Sequence, residues 1–131
     1  MAVIFYSPQP ASSGGTDGGV VLQNAQTGNA DSTNTMDRGT LTGGGAVVIT
    51  STVGATPTVT VNIQGSVDGA TWFNVPYALV ATPRTFVLTA ITITTAVTTT
   101  YLLQELVYWR FLKINMSANT NVTLTSTAWS R

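Results

Sequence analysis

An all-β fold is predicted: a β-sandwich or jelly roll of about six to eight short antiparallel strands. Three observations carry this reading. The 131 residues include 25 Thr and 15 Val, both β-branched, stiff at χ1 and favoured on a pleated surface. Residues 58–64 alternate, with Val59, Val61 and Ile63 on one face and Thr58, Thr60, Asn62 and Gln64 on the other. That period of two marks a half-buried strand. Beyond residue 45, short β-rich runs recur at close spacing with turn residues between them, which is the pattern of a sandwich or jelly roll.

The chain divides by composition near Gly45. Nine of its 12 glycines lie in residues 1–45. Between Ser7 and Gly45 the only large apolar residues are Val20, Val21, Leu22, Met36 and Leu41. Such a segment alone buries too little surface to offset its ordering entropy. It reads as an extended Gly/Ser/Asn-rich arm that neighbouring subunits hold, with Phe5 and Tyr6 anchoring its tip just before Pro8 and Pro10. Residues 46–131 form the predicted sandwich.

Within that body, residues 46–53 form a strand between Gly43-Gly44-Gly45 and Gly54, and 58–64 form the next. Asp68-Gly69 is a hairpin turn signal, and 71–75 return from it, ending at Pro76, with Trp72 packed across the turn into the core. Residues 84–94 and 97–103 are two more β-rich runs, with a weak helical tendency over 102–107. The strongest strand is 108–117, and Asn119-Thr120-Asn121 turns it into 122–129. If Leu112, Ile114 and Met116 fill the core, Trp109 and Phe111 face outward, covered either by the chain itself or by another subunit. Aromatic residues are enriched at interface cores, so Phe5, Tyr6, Trp109 and Phe111 are the candidate partner-interface residues.

Composition argues against chemistry. The chain has no His, no Cys, five acidic and five basic residues and zero formal net charge. It lacks the commonest general base and the commonest transition-metal ligands, and a Ser–His–Asp arrangement is ruled out. Gly14-Gly15 to Gly18-Gly19 has no Gly-Lys-Ser/Thr ending of a phosphate loop. Asp31 to Asp37 has oxygen ligands but not EF-hand spacing. No catalytic, cofactor or metal site is expected. The balanced charge lacks the basic footprint of a nucleic-acid binder, and no run approaches the ~18 apolar residues of a membrane helix. A neutral, Thr-rich surface suits a chain that lives inside an assembly.

Residues 59–75 read Val-Thr-Val-Asn-Ile-Gln-Gly-Ser-Val-Asp-Gly-Ala-Thr-Trp-Phe-Asn-Val, and 108–116 read Tyr-Trp-Arg-Phe-Leu-Lys-Ile-Asn-Met. A Ser-x-Asp-Gly-x-x-Trp hairpin followed by an Arg-aromatic-Leu-basic-Ile strand resembles the discoidin-like jelly-roll modules. It is also similar to small β-sandwich virion proteins of tailed bacteriophages. The phage-like resemblance, over about residues 57–129, implies a non-enzymatic structural role in the virion. That role is a capsid decoration (cement) protein contacting the major capsid protein and copies of itself, as a homotrimer in many such proteins, or else a head–tail or tail component. The discoidin-like side implies a carbohydrate- or receptor-binding module as the alternative.

Overall fold

The computed structural model describes residues 2–6 and 19–131. Residues 7–18 of the expected arm, with Gly14, Gly15, Asp17 and Gly18, lie outside the described residues. The described chain is all-β. Its strands are β1 (Ala2–Phe5), β2 (Val20–Gln26), β3 (Asn34–Asp37), β4 (Gly45–Ser66), β5 (Trp72–Asn74), β6 (Tyr77–Leu79), β7 (Ile91–Ile93), β8 (Thr98–Leu103) and β9 (Phe111–Ser130). Seven are short, as expected. Two are not: β4 has 22 residues and β9 has 20.

These two long strands pair antiparallel along nearly their whole length, from Gly45↔Ser130 to Ser66↔Phe111. The ribbon they form builds both layers. Its first layer is the start of β4 with the end of β9, flanked by β8 beside β4 and β2 beside β9; β6 extends β8. Its second layer is the end of β4 with the start of β9, flanked by β5 and β7 on β4 and by β3 on β9. A strand rises about 3.3 Å per residue, so Gly45 and Gly65 would lie about 65 Å apart if β4 were straight. Yet a Cβ on either glycine would come within 3.0 Å of the same side chain, Trp109. The ribbon therefore folds back on itself.

The fold-back lies where both strands lose register together, between Val53 and Thr60 on β4 opposite Ser117 to Val122 on β9. Three non-glycine residues there have positive φ: Thr56 at 44°, Ala118 at 51° and Asn121 at 55°. Extra residues in an antiparallel pair bend the strand and increase its twist. The expected turn at Asn119-Thr120-Asn121, and the expected break between 46–53 and 58–64, are thus corrected. Both are bulges within continuous strands, and Asn119 and Asn121 satisfy the loosened backbone through bonds to Thr27 O, Val122 O and Ala55 O.

One apolar cluster fills the space between the layers. Val47 and Ile49 from one half of β4 and Val59, Val61 and Ile63 from the other belong to it, as do Leu112, Ile114, Met116, Val122 and Leu124 of β9. The alternation expected over 58–64 holds: Val59, Val61 and Ile63 are buried. On the outer face of the first layer Thr125, Thr50 and Thr98 lie side by side across three strands, the last two hydroxyls 3.0 Å apart.

Residue 45 is not a seam in this packing. Val20, Leu22 and Met36 lie in the same cluster, and Leu41 packs against it. The expected arm over 1–45 is corrected for its described inner part: β2 and β3 complete the open edge of β9. Their apolar residues are few, but β9 supplies the remaining wall of the core. Further corrections are local. Only residues 91–93 of the expected 84–94 run form a strand. Residues 104–107 form a hydrogen-bonded turn rather than a helix, closed by Val107 N–H to Gln104 O at 3.3 Å.

Candidate functional site

Trp109 precedes β9, so the in–out alternation of that strand does not set its direction. It closes the end of the sandwich where the two ends of the folded ribbon meet, with 1% of its surface exposed. Gly45 and Gly65 are required there, since the indole occupies the space of their absent side chains. Arg38 covers it from the other side. Its guanidinium carbon lies 3.6 Å from the Trp109 ring centroid. Its Nε donates to Trp109 O at 2.6 Å, and Nη1 donates to Gly43 O at 2.7 Å and Ser130 Oγ at 3.3 Å. Burial pushes the Arg38 pKa down, but an arginine stays charged at any ordinary pH. Carbonyls and ring faces, not a carboxylate, hold this cation.

Of the four expected interface residues, the structure brings only one fully to the surface. Tyr6 is buried and donates its backbone N–H to Asp37 O at 2.7 Å. Trp109 is buried by its own chain, the covering expected as one of two possibilities. Phe111 is half-buried beside the Asp68-Gly69 turn, with the Arg110 guanidinium 5.0 Å from its ring. Phe5 is 65% exposed. It belongs to β1, which pairs parallel with β3 from Ala2↔Asn34 to Phe5↔Asp37. Val3 is 59% exposed and Ile4 37%. Side chains of a strand point alternately to opposite faces, so β1 is apolar and uncovered on both.

The carboxylates of the second layer are engaged by its cations. Asp37 accepts from Arg110 Nε at 2.9 Å and Nη2 at 3.0 Å. Those hydrogen bonds hold its pKa below the usual value against burial, with help from the Gly39 N–H. Burial raises the Asp31 pKa, but hydrogen bonds from Lys113 and Asn115 outweigh it and the net shift is down. Lys113 Nζ lies 2.8 Å from Asp31 Oδ2 and 4.2 Å from the Trp72 ring centroid. Trp72 is therefore half-buried on the outer face, not in the core as expected. Asp68 accepts the N–H groups of Ala70 and Thr71, each at 2.8 Å. These backbone bonds hold its pKa at about 2. Among the described residues no group of three or more His, Cys, Asp or Glu gathers at one point.

A cleft of about 600 Å³ opens on the outer face of the first layer. Its floor is the cross-strand row Trp129–Ala46–Leu102. Phe86, Arg84 and Pro83 line it from the segment after β6, and Glu105 and Arg131 line its rim. The sequence pattern does not reveal this cleft, because the row forms only when three distant strands align. Nor does it reveal the role of Arg38, whose one signal is a lone cation in a charge-poor segment.

No protein-family model matches the chain, and no curated protein matches it.

Proposed function

We propose that this chain is a non-enzymatic structural subunit of a virus particle, a capsid decoration protein that stabilises the shell through intersubunit contacts. Its partners are the major capsid protein and other copies of itself, in a trimeric arrangement, and its location is the virion. The single observation that carries this reading is β1. It is an edge strand with Val3, Ile4 and Phe5 all exposed and no charged residue. Natural edge strands are blunted with charges, proline or covering loops; one left apolar on both faces suits a site for strand addition or docking. Each contact is small, but many copies on one lattice act together. The resemblance of the Ser66–Trp72 hairpin and the 108–116 strand to phage virion proteins supports the same reading.

The test is to image purified particles, grown with and without the gene, by electron cryomicroscopy. Extra density at repeated positions on the shell is the expected result. Density confined to the neck or tail would replace decoration with a connector or tail role, and a chain absent from purified particles would overturn the proposal.

A further inference from the structure

The chain has five cationic residues. Three are committed within the fold: Arg38 over Trp109, Arg110 on Asp37 and Lys113 on Asp31. Arg84 takes part in no ion pair among the described residues. Arg131 reaches only Glu105, at 3.6 Å, with both side chains largely exposed, and such a pair contributes little. Both of these residues line the same cleft, over a floor of Trp129, Ala46 and Leu102 and beside Phe86. Against these two guanidinium-bearing residues the lining holds one acidic side chain, Glu105.

We propose that this cleft is a binding site for a small amphipathic carboxylate, whose apolar body lies on the Trp129–Ala46–Leu102 floor and whose carboxylate is held by Arg84 and Arg131. The volume lies within the usual range of ligand sites, roughly 300–1,000 Å³. The chemistry is complementary at both ends. Guanidinium groups bind carboxylates through paired N–H donors, and the apolar surface of Trp129, Ala46 and Leu102 takes the apolar body. This inference is independent of the virion reading, since it rests on the opposite surface feature: a concave cleft with charge, not a bare strand edge.

The probe is naphthaleneacetate, titrated into the isotopically labelled full chain and followed by amide NMR. Its neutral counterpart, naphthaleneacetamide, supplies the contrast. Shifts should centre on Ala46, Leu102 and Gln104, and the acid should bind about tenfold more tightly than the amide at low salt. Arg84→Gln, at an exposed position outside the core, should leave the fold intact and remove most of that difference. Equal binding of acid and amide, no shift at millimolar ligand, or shifts centred on Trp72 would each overturn the proposal. Tighter binding of a capped Phe-Glu dipeptide than of naphthaleneacetate would also overturn it, by assigning the cleft to a peptide's side-chain carboxylate.

Discussion

Two short apolar runs near the start of the chain meet opposite fates. Val20 and Leu22 in β2 are buried, at 5% and 0% exposure, while Val3 and Phe5 in β1 stand in the open. Local composition does not separate them, since both runs precede the Gly-rich stretch at 43–45. Distance from the β4–β9 ribbon does. β2 pairs directly with β9, where the opposite layer lies over it. Among the described residues β1 pairs only with β3, one strand farther out, beyond the reach of that layer. A weakly apolar segment is thus ordered by the wall it completes, and the same kind of segment one step outward becomes an available surface.

The strongest way to break this comparison is Leu22→Ala. Truncating a fully buried Leu removes transfer free energy and leaves a cavity, so unfolding stability should fall by about 3 kcal/mol, read from the urea midpoint. A loss near zero would mean that β2 is a separable arm after all. A smaller effect comes from acid. Asp31 and Asp37 hold β3 and its approach against β9, and both have depressed pKa values, as does Asp68 at about 2. A carboxylate depressed in the folded state contributes stability that is complete above its ordinary pKa, near 3.8 in the unfolded chain. That stability is lost as pH falls through the lower, folded value. The urea midpoint should therefore drop between about pH 5 and pH 2, and Asp37→Asn should flatten the drop; an unchanged slope in that variant would show that the Arg110 pair does not secure β3. The smallest effect on stability belongs to Phe5→Ser. With its ring mostly exposed, the change should alter unfolding stability by less than about 0.5 kcal/mol, while retention on particles falls. Equal retention would remove β1 from the docking surface.

Alternation and turn chemistry make much of this fold legible in the amino-acid sequence. The 58–64 pattern places Val59, Val61 and Ile63 inward, and Asp68-Gly69 marks a real turn, where Gly69 takes φ of 80°. Punctuation is what misleads. Gly54, Pro57 and the Asn119–Asn121 triplet are turn formers by type, and nothing local distinguishes a turn from a bulge. The distinction lies in register, because the two irregular stretches face each other across β4 and β9. Trp109 lies two residues ahead of β9, where the parity of that strand no longer applies, so alternation sends it to the wrong side. The candidate site is the least legible part. Exposure of β1 follows from its place in the strand order, and the cleft follows from three strands lying side by side.

The strand order also bears on how the chain is made. β2 pairs with β9, the final strand, β3 joins the rest of the sheet through it, and β4 pairs with it too. Synthesis proceeds at about 5–20 residues per second, so the front of the chain leaves the ribosome several seconds before its partner exists. Leu22 and Met36 wait in solvent for that interval. The sparse, Gly-rich and hydroxyl-rich sequence around them then has a second use: it keeps a nascent segment from finding the wrong neighbour before the right one arrives.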